Sequence, residues 1–188
     1  MKRQFDTEVK QYTLSLLVKD IPGVLSQVSR LFSRKGYNIE SIASGGTNDP
    51  GITRITIVIL GDELMIDQIA AQCRKLLPVL SVKVLDAESS IQREFALIKV
   101  LAKDPSTRGE VLQMADIFRA NVIDVSRETL TVAVFGDSDK TTAFQKLLRD
   151  FGILEVVRTG TIAIERGRST IYEQSKLKEE YSYGKNVL

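Results

Sequence analysis

The sequence predicts an α+β chain made of two tandem βαββαβ units. Three observations predict it. Six segments between Tyr12 and Leu85 carry, in that order, the period-two pattern of strands and the roughly 3.6-residue pattern of helices. Six more between Glu94 and Ile164 repeat the order. Breaker clusters fall at matching places in both halves, at Asp20–Gly23 and Lys103–Ser106, and again at Gly61–Glu63 and Gly136–Ser138.

Taken in order, Tyr12–Val18 alternates with Leu14, Leu16 and Val18 on one face, the mark of a strand. Asp20-Ile21-Pro22-Gly23 breaks it, and proline is tolerated where a helix begins because the N–H it lacks has no partner there. Val24, Leu25, Val28, Leu31 and Phe32 then recur at helical spacing, and Gly36 stands where a helix stops. Asn38–Ser44 reads as a second strand and Gly45–Gly51 as a turn-rich loop. Ile52–Leu60 sets Ile55, Ile57 and Ile59 against Arg54, Thr56 and Val58. Gly61-Asp62-Glu63 has the chemistry of a helix cap with acid in the first turn. Ile66, Ile69, Ala70, Cys73, Leu76 and Leu77 make one helical face, which Pro78 should end before a fourth strand at Val79–Leu85.

The second half follows suit. Glu94–Ala102 is a strand, Val111, Leu112, Ala115 and Phe118 mark a helix, and Asn121–Ser126 and Leu130–Phe135 are strands. Phe144, Leu147, Leu148 and Phe151 mark a helix, and Glu155–Ile164 a last strand. This order is the ferredoxin-like, split βαβ arrangement. The expected domains are residues 11–86 and 91–166, joined by the polar Asp86–Arg93, with 167–188 as a solvated tail.

Composition removes several functions. The 188 residues include no histidine and one cysteine, so histidine-based nucleophilic catalysis and an intramolecular disulfide are excluded, and a zinc site is disfavoured. A net charge of +2 argues for no nucleic-acid partner. No apolar run is long enough for a bilayer and Met1–Lys10 is polar, so no membrane partner and a cytoplasmic location are expected. The chain is expected to be non-catalytic and to hold no cofactor.

Two segments have ligand-binding chemistry. Asp20-x-Pro22-Gly23 lies between a strand and an amphipathic helix. Helix N-termini present unpaired N–H groups and a positive dipole end to a carboxylate, and glycine lets a ligand reach the backbone. Asp20 would accept from an ammonium group. Together they suit a free α-amino acid; alternatively, Asp20 caps the helix and Pro-Gly only turns the chain. Gly36-Tyr37-Asn38-Ile39-Glu40-Ser41 offers the donors and acceptor of Asn38, or merely links helix to strand.

Together these segments resemble the ACT domain, a ligand-binding module of amino-acid metabolism. More narrowly, the run Leu31–Ser41 is similar to the signature of the small, regulatory subunit of acetolactate synthase. The resemblance continues through Thr53–Ile57, Gly61-Asp62-Glu63, Gln68-Ile69, Lys75-Leu76 and Arg93-Glu94, then Phe118-Arg119, Ile123-Asp124-Val125 and Glu165-Arg166-Gly167. It covers about residues 10–167. It implies that the first unit is an ACT domain which pairs with a second copy. Valine, leucine or isoleucine would bind between the copies, held by the β–α loop of one chain and the Gly-Tyr-Asn segment of the other. By position that site comprises Asp20, Ile21, Pro22, Gly23, Val24, Leu25, Asn38 and Ile39. The second unit would contact a catalytic large subunit, which would carry thiamine diphosphate, Mg and FAD. The chain would activate that subunit and confer feedback inhibition on it.

The alternatives are an ACT-type sensor for another biosynthetic enzyme and an RNA-binding module of the same strand order. The second needs stacking aromatics on its central strands; Ile52–Leu60 has none and Leu130–Phe135 only Phe135. Cys73 is expected in the core, Gly45-Gly46 as a plain turn, and the paired carboxylates Asp62/Glu63 and Asp137/Asp139 as helix-start acid. Arg166, Arg168, Lys176, Lys178 and Lys185 would form at most a weak basic strip.

Overall fold

The computed structural model of the chain describes residues 8–174, which divide into two units. The first comprises residues up to Ile91 together with those from Ile162 onward; the second is Gln92–Thr161.

In the first unit the order is β1 (Lys10–Lys19), α1 (Val24–Lys35), β2 (Ser41–Gly46), β3 (Ile52–Gly61), α2 (Glu63–Cys73) and β4 (Val79–Leu85). The strands form one antiparallel sheet, β2-β3-β1-β4, so β2 and β4 are its edges. One face of β1 packs Leu14, Leu16 and Val18 against Val24, Val28 and Phe32 of α1 and Ile66, Ile69 and Cys73 of α2. Val24, Val28 and Phe32 recur every fourth residue and so share one stripe. Each such fully buried side chain contributes about 1.5–3 kcal/mol. Burial raises the Cys73 thiol to about 11, which makes it an inert core residue as expected.

Three boundaries differ from expectation. β2 runs Ser41–Gly46, later than Asn38–Ser44, so the Gly45-Gly46 pair is in the ladder opposite Arg54 and Thr53 rather than in a turn. α2 ends at Cys73 and turns occupy Arg74–Pro78, leaving Leu77 91% exposed instead of on the helical face. Proline disfavours helical geometry at the residue before it, so the helix does not run through Leu77. The third difference is the cover on the sheet's other face. There Thr13, Ser15 and Leu17 of β1 are also buried. The cover is β9 (Ile162–Glu165) and a 3₁₀ turn at Ile171–Gln174. Ile171 packs on Leu17 and Leu80, and its carbonyl accepts from Ser81 Oγ at 2.9 Å. Glu165 pairs with Lys83. Burial lowers the Arg54 guanidinium from its ordinary value; its Nε donates to Ser15 Oγ at 2.9 Å.

Residues from Ile162 onward thus form a strap on the first unit, which takes in the end of the expected second domain and the described start, 167–174, of the expected solvated tail. Arg166, expected in a basic strip, donates through Nε to the Ser90 carbonyl at 3.1 Å. Lys176, Lys178 and Lys185 lie outside the described residues. Ile171→Ser should lower stability by about 2 kcal/mol. An unchanged denaturant midpoint would show that the strap contributes nothing.

The second unit contains β5 (Ser90–Leu101, its first two residues in the first unit), α3 (Pro105–Ile117), β6 (Asn121–Val125), β7 (Thr129–Gly136), α4 (Ser138–Leu148) and β8 (Ile153–Arg158). Its sheet order is β6-β7-β5-β8. The core sets Ile98, Val100, Val132 and Val134 against Val111, Ala115, Phe144 and Leu148. Leu112, expected on the buried face of α3, is 44% exposed. The expected last strand, Glu155–Ile164, is broken into β8 and β9, with Gly160 at positive φ (77°) between them. Buried Glu94 is held by Thr141 and Arg158, so the charge is paired where water is excluded.

Candidate functional site

Four α-helices begin among the described residues, and three are capped alike. Asp62, Asp104 and Asp137 each accept from the backbone N–H three residues on, at 2.7, 2.9 and 2.8 Å. The carboxylates expected as helix-start acid at Asp62 and Asp137 therefore satisfy amides. α1 differs. Its N-cap is Gly23, in the left-handed region (φ 84°, ψ −1°), and no side chain bonds to the helix end. Val24 N–H donates to the Ile21 carbonyl at 3.3 Å and Gln27 N–H to the Gly23 carbonyl at 3.0 Å. The amides of Leu25 and Ser26 between them meet no acceptor among the described residues. Asp20 does not cap the helix, which removes the capping part of the alternative reading.

The backbone ahead of this end is braced. Asp20 N–H donates to the Gly51 carbonyl at 2.8 Å and Ile21 N–H to the Lys19 carbonyl at 3.0 Å. Asp20, Pro22 and Gly23 are exposed. Around the open amides stand two apolar side chains, Ile21 and Leu25, 45% and 44% exposed, while Val24 is buried beneath. A built Cβ on Gly23 would meet nothing within 4 Å, so the ground in front of the helix is open. The arrangement presents amide donors and a positive dipole end to an anion, one carboxylate, and aliphatic contacts.

Asn38 and Ile39 lie between α1 and β2. Asn38 Nδ2 donates to Glu40 Oε1 at 2.7 Å, and Glu40 N–H donates to the Val58 carbonyl at 2.9 Å. Glu40 thereby orients the Asn38 amide, and Gly51 anchors the Asp20 loop. Neither role is legible in the sequence, because both depend on β3 passing beside these segments.

The two segments do not meet within one chain. Ser41 is opposite Val58, and Val58 opposite Thr13. Asp20 follows Lys19, at the far end of the same strand. At about 3.3 Å per residue, six residues along β1 separate the segments by roughly 20 Å.

Residues 14–81 match a family model described as an AHAS small subunit-like ACT domain, and residues 93–167 one described as the small subunit of acetolactate synthase. A probable acetolactate synthase small subunit from Methanothermobacter thermautotrophicus is 44% identical over 166 residues, 88% of this chain and 99% of that one. The chain belongs to the acetolactate synthase small-subunit family. An acetolactate synthase small subunit from Mycobacterium leprae is 46% identical over 156 residues, covering 83% of this chain and 92% of its own. The crystal structure of the small subunit from Thermotoga maritima superposes with a TM-score of 0.79 at 38% identity, over 85% of this chain and 99% of that one. Membership of the acetolactate synthase small-subunit family gives the ACT module a regulatory role and implies a catalytic large-subunit partner. Among the described residues, no helix is long and apolar enough to cross a membrane.

Proposed function

We propose that this chain is the regulatory subunit of an acetolactate synthase of branched-chain amino acid biosynthesis. It binds valine, or leucine or isoleucine, between the ACT domains of two copies; it activates the catalytic subunit and lets the amino acid inhibit it. Thiamine diphosphate, Mg and FAD belong to the catalytic partner in this reading, and the complex works in the cytoplasm.

The observation that carries the proposal is the uncapped start of α1, set roughly 20 Å from Asn38 in its own chain. β2 is an edge strand, and an open edge is a template for pairing with another chain. Antiparallel pairing of two β2 edges sets the start of one strand beside the end of the other. Gly46, at the end of β2, faces Thr53, which faces Val18 near the Asp20 loop. Such pairing therefore carries Asn38 and Ile39 of the second copy toward Asp20–Gly23 of the first. The ligand carboxylate then takes the Leu25 and Ser26 amides, its ammonium takes Asp20, and its branched side chain lies against Ile21 and Leu25. Neither segment forms the site alone.

For the second unit, the support for catalytic-partner contact is an apolar row on its sheet. Phe95 stands opposite Phe135, and Leu97 opposite both Ala133 and Val157. Phe95, Phe135 and Val157 are 40%, 55% and 55% exposed. Contiguous exposed apolar side chains of this kind mark contact surfaces.

Asn38→Ala tests the shared site. It removes a polar contact to a charged ligand, which contributes roughly 1.5–3 kcal/mol. Calorimetry should show valine affinity reduced ten-fold or more with the fold intact. Unchanged affinity would take Asn38 out of the site.

A further inference from the structure

A groove of about 350 Å³ runs between α1 and α2, lined by Arg30, Arg34, Lys35 and Lys75 with the amides of Gln27 and Gln72. The volume is within the range of small-molecule sites. Arg30 and Arg34 are one helical turn apart and so share a face, Lys35 follows at the end of α1, and Lys75 enters from the turn after α2. All four are exposed. No carboxylate lines the groove, and none of the four is in an ion pair among the described residues. Elsewhere Lys83, Lys99, Lys103 and Arg158 pair with glutamates, and Arg108 donates to the Ser126 and Arg127 carbonyls.

A chain of net charge +2 thus gathers four positive charges into one concavity. Arg34 and Lys35 complement the negative end of the α1 dipole, but that leaves Arg30 and Lys75 unexplained. Like charges held together repel, and an anion of matching charge relieves the repulsion. An amino-acid effector does not fit, being neutral overall, and the groove has no acid to take its ammonium. Arg30 and Arg34 supply two planar guanidinium forks, and Lys35 and Lys75 two compact ammonium groups, a set suited to phosphate oxygens. Gly23 and the groove's Lys35 are at opposite ends of α1, about 18 Å apart along its axis.

We propose that the α1–α2 groove binds a small polyphosphate-bearing ligand of charge about −3 to −4, matched to its four cations, with Leu31 and Leu76 supporting the ligand's uncharged part. The probe is inorganic tripolyphosphate, titrated calorimetrically into the full-length chain at low and at high salt. Saturable binding is expected, weakening steeply as salt screens the charges, and inorganic monophosphate should bind at least ten-fold more weakly. Arg30→Glu with Lys75→Glu should weaken tripolyphosphate at least ten-fold while leaving the heat of valine binding unchanged, which also reports an intact fold. If that pair fails to fold, Arg34→Gln with Lys35→Gln serves in its place. Absence of saturable binding, or binding that the substitutions leave untouched, overturns the proposal. So does a groove that ignores tripolyphosphate but whose charge reversal prevents the catalytic subunit from being activated, since that identifies a protein contact instead.

Discussion

Gly23→Asp should abolish the response to valine while the chain stays folded. The position is at φ 84°, and a new Cβ meets nothing within 4 Å, so the backbone alone opposes the change. A left-handed residue costs about 1–2 kcal/mol, and Asp tolerates that region better than most. The ligand loses more. A carboxylate fixed at the start of α1 competes for the amides of Leu25 and Ser26 and repels the incoming anion, at about 4 kcal/mol for charges 4 Å apart at an effective dielectric of 20. Valine affinity should fall at least a hundred-fold, and inhibition of the reconstituted enzyme should vanish. Mixing gives a sharper result. Dimers of one Gly23→Asp chain and one Asn38→Ala chain keep one intact site if each site draws on two chains, and none if both residues act within one chain. Half the valine stoichiometry in the mixed dimer is expected; its complete loss would overturn the shared site.

Phe144→Ala should separate the two roles of the molecule. Phe144 is fully buried in the core of the second unit and lies against Phe118, ring centroids 5.0 Å apart and tilted by 35°. Truncating a buried phenylalanine costs about 3–5 kcal/mol, a large part of the 5–15 kcal/mol that typically holds a domain. The second unit should melt at markedly lower denaturant, and activation of the catalytic subunit should be lost. Valine binding, which the proposed function assigns to the first unit, should stay within about two-fold of its original affinity. Equal loss of valine binding would show that the units do not function separately. Phe144→Leu, which keeps most of the volume, should restore much of the activation.

Much of the fold was legible because its signals are local. The caps at Asp62 and Asp137 involve residues three apart, and the two ends of α1 show as Gly23 and Gly36, which each take a positive φ. The run Leu31–Ser41 likewise pointed to the family before any geometry was known. Where local signals conflicted, boundaries moved. Apolar spacing ran α2 on to Leu77, but the helix gives way to turns at Arg74, ahead of Pro78. The broken last strand turned on Gly160, whose φ the sequence does not state. Exposure of Phe95 beside Phe135 escaped the sequence because it depends on the register of β5 with β7.

By itself the sequence determined the order of elements, the Asp20–Gly23 break between strand and helix and the kinship that gives it a regulatory meaning, all carried by residues a few positions apart; that the helix start is uncapped came from the structure. Tertiary structure alone decided that Asp20 and Asn38 are at opposite ends of β1, that Ile171 covers Leu17 and Leu80, and that four cations of α1 and the α2 turn share a groove. The physical reason is distance along the chain. Ser81 meets Ile171 across 90 residues and Tyr172 meets Asn48 across 124, and no local period or propensity reaches that far.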